Sequence, residues 1–273
     1  MDLAVLKKQD IRWYQILFLS LFLCFAMFTL DWDITWKQIG FNLGLALLTQ
    51  LFFIFWLKLP DYHSLKSAFI SGLGICLLLK SSSPNIYALA IIIAISSKFL
   101  IQFKKKHLFN PVNLGIVLVV FFTKDAWISP GQWGATSGFI FLFGVGGMFI
   151  LYNIKRLETA AGFLGTLFIA EWIYKILYLG WELDHLMHDF INGTLLLFSF
   201  FMITDPRTIP ASPKARWTWS IAIALICFYL KNWHYQTDAP LKVLLCMTPL
   251  VPILDIIFKQ QFFKWNSYEK SSN

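Results

Sequence analysis

The chain has 273 residues, is 58% hydrophobic and 14% charged, and has a mean hydropathy of +0.63. Ordinary soluble domains carry about 25% charged residues, so this composition excludes a soluble enzyme, and it excludes the nucleic-acid binder that a net charge of +8 would otherwise suggest. Four cysteines in four separate apolar segments, none in a CxxC pair, argue against a disulfide framework or a cysteine-held metal.

Apolar runs read against polar breaks predict ten helical spans, at roughly 12–30, 39–57, 67–80, 86–103, 111–123, 138–152, 160–180, 188–204, 217–231 and 241–258. The first has no small-residue cleavage site after it and reads as a retained span. The third, fifth and sixth are short, as are the broken helices that place half-helix ends at a site in transporters. No soluble domain or long polar linker intervenes, so residues 1–273 read as a single integral membrane domain. With alternating loops, one side collects 16 Lys and Arg and the other five, which puts both termini in the cytoplasm. The expectation is an all-α, polytopic bundle of about ten transmembrane spans in the inner membrane, with the lipid bilayer as its surroundings.

Two proline motifs interrupt the apolar pattern. The first is Lys104-Lys105-Lys106-His107-Leu108-Phe109-Asn110-Pro111-Val112-Asn113, and the second is Phe201-Met202-Ile203-Thr204-Asp205-Pro206-Arg207-Thr208-Ile209-Pro210. Irregular backbone at membrane depth survives where it is buried in protein or lines a cavity. Asn110 and Asp205 each precede a proline and suit a cap, and each motif is expected to lead into an outward-going helix. The free amides and nearby cations at such a start favour an anion or a ring carbonyl. The other reading is a plain helix stop at the membrane face. Pro111 and Pro206 are 95 residues apart, as are Ser71 and Thr166, a match too sparse to establish a duplication.

Charges inside the apolar runs form a second group of candidates. Glu171 and Lys175 are four apart on one helical face and read as an ion path or as a self-neutralised pair. Asp255 is expected to pair with Lys259 at the same spacing. His185 and His188, beside Glu182, Asp184 and Asp189, have a spacing one helical turn could offer a metal, but such acidic loops commonly hold none. No Walker loop, dinucleotide fingerprint, Ser-His-Asp set or HExxH helix is present, so no catalytic residue and no metal site is assigned.

The stretch from Ser96-Ser97-Lys98-Phe99 through Asn110-Pro111 to Gly115, with Phe200-Phe201-Met202-Ile203-Thr204-Asp205-Pro206-Arg207-Thr208-Ile209-Pro210, resembles the RnfD/NqrB family, over roughly residues 65–258. Members are membrane subunits of the Rnf and sodium-translocating NADH:quinone reductase complexes. The resemblance implies electron transfer through flavin, FMN or riboflavin, with a quinone as a candidate partner, and coupling to ion transport. It places Asn110, Pro111, Asn113, Thr204, Asp205, Arg207 and Thr208 around a flavin or quinone pocket. Large members attach FMN to a threonine in an Asp-x-x-Ser/Thr-Gly-Ala-Thr motif, and Gly134-Ala135-Thr136 matches its end. That match makes Thr136 a candidate for covalent FMN, whereas Pro130 and Trp133 in place of the upstream residues argue against the link; on either reading Trp133 and Thr136 are placed near a flavin. The segment Trp127 to Gly134 looks more like the short, stand-alone branch that includes the UnbU proteins of enediyne biosynthetic clusters. There Trp127 and Trp133 suit either stacking on a flat ring or an interfacial turn. The chain shows no domain for NADH, so redox or cluster partner proteins are implied. The alternatives are a solute or ion transporter on the same bundle, without redox chemistry, and a membrane scaffold.

Overall fold

The computed structural model describes residues 10–29, 34–59, 62–104, 106–129, 137–190 and 192–260. Helices begin where proline or a small polar side chain can serve the first turn. After α1 (Arg12–Thr29), α2 (Trp36–Trp56) is capped by Thr35, which accepts from the Gln38 amide at 3.2 Å. α3 (Leu65–Leu78) runs into strand β1 (Leu79–Ser81), and α4 (Pro84–Leu100) follows with proline in its first turn. Strands β2 (Gln102–Phe103) and β3 (Lys106–His107) form a small hairpin ahead of α5 (Pro111–Phe122). β4 (Ala126–Ile128) pairs antiparallel with β1, Lys80 opposite Trp127. Next come α6 (Ser137–Ile154), α7 (Leu157–Trp172) with a π-helical continuation (Ile173–Tyr178), and α8 (Leu183–Phe190). α9 (Gly193–Leu197) also ends in a π-helical turn (Phe198–Met202). The chain closes with α10 (Pro213–His234), α11 (Ala239–Met247) and α12 (Val251–Ile257).

The apolar runs do become helices, but the expectation of about ten membrane-spanning ones does not hold. Among the described residues, three helical segments are long and apolar enough to cross a membrane: Trp36–Trp56, Leu157–Tyr178 and Ala239–Ile257. Six others are apolar but shorter, such as Pro111–Phe122. With 12 residues, α5 rises about 18 Å, well short of a hydrocarbon core of roughly 30 Å. The eighth expected span, 188–204, is two helices, because Asn192 caps a new start by accepting from the amides of Thr194 and Leu195 at 2.9 and 3.3 Å. The sidedness that rested on ten alternating crossings, including the cytoplasmic termini, falls with the count. The fold is also mostly helical rather than all-α, given the two small strand pairs.

α4 packs against α2, α3 and α5, while α7 lies along α10, and α11 touches both α10 and α5. The α4–α5 contact depends on small residues. A Cβ on Gly115 would overlap the Ala90 carbonyl oxygen and press on Ala94 Cβ at 3.0 Å. The α7–α10 contact is similarly close, since a Cβ on Gly162 would run into Ser220 Oγ. Asn113 Nδ2 joins the two groups by donating to the Leu241 carbonyl at 3.0 Å. At the start of α1, Asp10 accepts from Arg12 at 2.7 Å and from Lys66 at 2.9 Å, which ties α1 to the first turn of α3. Burial alone would raise the Asp10 carboxyl, but the hydrogen bonds from Arg12 and Lys66 outweigh it and hold the pKa at about 2.

Replacing Gly115 by Leu should lower stability by about 1–3 kcal/mol or more, read as a reduced thermal midpoint in detergent. The Asp10 tie has a pH signature. Its folded pKa lies below the usual carboxylate value of 3.8, so its contribution is complete above about pH 4 and lost as pH falls through about 2. Asp10→Asn should therefore melt earlier than the native protein at pH 7, and the gap should close toward pH 2.

Candidate functional site

The two proline motifs meet in space. Asn110 Nδ2 donates to Asp205 Oδ2 at 3.3 Å across 95 residues of chain. Asn110 also caps α5, as its position before Pro111 leads one to expect, by accepting from the Asn113 amide at 3.1 Å. The second motif behaves differently. Asp205 Oδ1 accepts from the Arg207 amide at 3.0 Å in a local turn, and no helix starts until Pro213. The expectation that both motifs open directly into a helix thus holds for the first alone.

The second loop is held from outside. Lys106 of β3 donates to the Ile209 carbonyl and pairs with Asp255 at 2.7 Å, while Asp255 Oδ1 accepts from the Ala211 amide at 2.7 Å. Arg216 donates to the Pro210 and Ala211 carbonyls and pairs with Glu158. Asp255 therefore pairs with Lys106, not with Lys259 as its spacing suggested. The reason is geometric: α12 ends at Ile257, so residue 259 is not on the same helical face. Burial lowers the Lys106 pKa, and the Asp255 hydrogen bond works against that loss.

Where the motifs meet there is a cavity of about 320 Å³, within the range of roughly 300–1,000 Å³ usual for small-molecule sites. Of the residues expected around a pocket, Asn110, Pro111, Thr204, Asp205 and Arg207 line it. Asn113 and Thr208 are buried away from its wall, Asn113 on Leu241 and Thr208 Oγ1 on the Asp205 carbonyl at 3.3 Å. Trp133 and Thr136, with the rest of the Gly-Ala-Thr segment, lie outside the described residues.

Among the lining residues that the sequence did not mark as pocket residues are Lys98 and His107, which it offered only as parts of longer motifs, and Gln50 and Arg12. Lys98 is 4% exposed and donates to the Ser67 carbonyl and Oγ at 3.0 and 3.2 Å. A charge inside an apolar run was the signal that could have found it. Gln50 is 2% exposed, and its Oε1 accepts no hydrogen bond among the described residues. His107 Nδ1 is likewise buried without a partner. Burial, with the Arg207 and Lys98 cations adding to it, pushes the His107 pKa down to about 3 and leaves the ring neutral. Burial raises the Asp205 pKa against the opposing pull of the Arg207 amide and the neighbouring cations. The arrangement offers cations, two unpartnered polar atoms and an apolar wall to one ligand.

The Glu171–Lys175 pair belongs to a larger network away from this cavity. Lys175 lies 3.0 Å from Glu171 Oε2 and also pairs with Asp189. Lys231 of α10 reaches Asp189 at 3.0 Å and Glu171 at 3.4 Å, and Asn232 donates to Glu171 Oε1 at 3.1 Å. Two carboxylates and two ammonium groups balance, with Glu171 fully buried. The network sits where α7 turns π-helical, a local widening often found at functional positions.

The model of the NQR2, RnfD, RnfE family matches residues 98–264, a stretch that begins at the buried Lys98 and contains both proline motifs. The chain is 26% identical to a subunit of the ion-translocating oxidoreductase complex of Shewanella denitrificans over 146 residues, which is 53% of this chain and 41% of that protein. It is 28% identical to the protein of the same description from Stutzerimonas stutzeri over 148 residues, 52% of this chain and 40% of that one. With the corresponding protein of Halorhodospira halophila it shares 26% over 128 residues, 46% and 35% of the two chains. The chain thus spans about two-fifths of the length of the first two curated relatives. Membrane-length apolar helices and a family match over more than half of its residues agree: this is a multi-pass membrane protein that belongs to the NQR2, RnfD, RnfE family.

Proposed function

We propose that this chain is a flavin-binding inner-membrane subunit that passes electrons between partner proteins, with ion movement coupled to the transfer. The observation that carries the reading is the convergence of the two proline motifs on one cavity of small-molecule size. The lining chemistry fits a flavin. Gln50 Oε1 is a buried acceptor with no donor, suited to the imide N–H of the ring, and His107 supplies a second unpartnered nitrogen. Lys98 and Arg207 offer cations to the electron-rich carbonyl edge, and Phe200 and Leu78 supply apolar wall. A bound flavin supplies reversible one- and two-electron chemistry, and the protein's part is orientation and electrostatics. Lys98 and Arg207 would hold negative charge there, and Asn110 would keep Asp205 in place beside them. Electrons must come from and leave to partners, a membrane quinone being one candidate acceptor. Thr136 and Trp133 are assigned to a second flavin, without a covalent link.

For Glu171 and Lys175 we propose the ion path. It would enter at Asp189 and Lys231, whose side chains are about a third exposed, and end on the fully buried Glu171.

Protein purified in detergent should be yellow and release flavin on acid denaturation, with an intact mass unshifted at Thr136. A colourless preparation that takes up no added flavin would count decisively against the reading. Asp205→Ala should cut flavin content several-fold, and Thr136→Ala should leave the intact mass difference from sequence at zero. In proteoliposomes given a reductant and acceptor, Glu171→Gln should lower ion uptake while flavin content stays at the native level. Unchanged uptake would reduce the network to a structural tie.

A further inference from the structure

We infer that the ion taken up at the Glu171 cluster is a proton rather than a metal cation, and that Lys175 hands it to Glu171. This rests on the ion-path reading above and narrows it. It follows from which atoms face the two carboxylates.

Among the described residues, the groups paired with Glu171 are all N–H donors. Asn232 Nδ2 donates to Oε1 at 3.1 Å, and Lys231 Nζ lies 3.4 Å from the same oxygen. Lys175 Nζ lies 3.0 Å from Oε2, yet Oε2 completes no hydrogen bond among the described residues. On the solvent side, Asp189 Oδ2 accepts from Lys175 and, at 3.0 Å, from Lys231. The Trp181 ring lies 5.6 Å from Lys175 Nζ and has the His185 ring 5.9 Å from its own centre.

This is a poor place for a metal cation. Hard cations take about six oxygen ligands. Here both oxygens of Glu171 and one of Asp189 already face ammonium or amide hydrogens, and two ammonium groups balance the two carboxylates. A sodium ion would bring a third positive charge among the lysines, with a repulsion that burial strengthens. A proton needs one lone pair, and Oε2 has one to offer on a fully buried side chain.

The relay is short. Lys175 bridges Asp189, about a third exposed, and the buried Glu171. Asp189 first takes a proton from water. Lys175 then passes an N–H proton to Glu171 Oε2, that bond breaking as the O–H bond forms, and the neutral amine takes the proton from Asp189. The sum is one proton moved from water to Glu171, with no electron transferred. Lys231 reaches the same two carboxylates, but its contact with Glu171 falls on the oxygen that Asn232 already satisfies. Lysine suits the step because an ammonium, unlike a guanidinium, can give up a proton and regain it.

The test is proton and sodium uptake by full-length protein in liposomes, with dithionite outside and ferricyanide trapped inside. A trapped pH indicator reads protons, and radioactive sodium reads the metal ion. Proton uptake should run at the same rate when choline replaces sodium, with no sodium accumulated. Glu171→Gln should lower that rate by about tenfold or more. Lys175→Arg is the sharper variant. It keeps the charge and can keep both pairings, so its thermal midpoint should stay near the native value while proton uptake falls as in Glu171→Gln. Sodium uptake, or proton uptake that requires sodium, would overturn the proton inference and leave the ion path standing. Proton uptake at the native rate in Lys175→Arg would overturn the hand-over through Lys175. Uptake of either ion that Glu171→Gln leaves untouched would overturn the ion-path reading itself.

Discussion

The structure depends on how the backbone of the second proline loop is satisfied. Between Thr204 and Ser212 the chain is neither helix nor strand, so its amides and carbonyls cannot pair with each other in a regular ladder. In an apolar bundle such backbone must find partners in protein. Lys106, Asp255 and Arg216, from three separate parts of the chain, supply them. Once these side chains hold the loop, Asp205 is fixed within reach of Asn110, and the cavity between the two motifs is defined. The hairpin of β2 and β3, the short α12 and the start of α10 are all positioned by this one requirement.

The same requirement sorts the charges of the protein into two kinds. Lys106 and Arg216 are structural: each is paired with a carboxylate and spends its remaining donors on loop carbonyls. The Glu171, Lys175, Asp189 and Lys231 network is balanced within itself. Lys98 and Arg207 are different: among the described residues neither side chain has a carboxylate at bonding distance, and Asp205 acts on both only from farther away. Both line the same cavity, where a cation not bonded to a carboxylate is available to a ligand.

Much of the fold was legible because it is local. Apolar runs marked the helices, and Asn110-Pro111 marked a capped start, since a cap needs only residues within one turn. The four-residue spacing found Glu171 and Lys175, which do pair. The same rule failed for Asp255 and Lys259, because it assumes a continuing helix and α12 stops at Ile257. Reading every apolar run as a complete crossing failed for a related reason. Hydropathy reports that a segment avoids water, not whether it faces lipid or the protein interior, and a helix such as α5 is too short to cross. Lys106 looked like one member of a basic run that sets topology, whereas it is the clasp of the second loop.

By itself, then, the sequence determined the class of the molecule, the places where helices begin, and the family to which its motifs belong. These follow from composition and from interactions within a few residues. Tertiary structure alone decided that Asn110 touches Asp205, that Lys98 donates to Ser67 and shares a cavity with Gln50, and that Lys106 takes Asp255. Those pairings join residues from 31 to 149 positions apart, and no spacing rule reaches that far, because they are set by how helices pack rather than by how one helix turns.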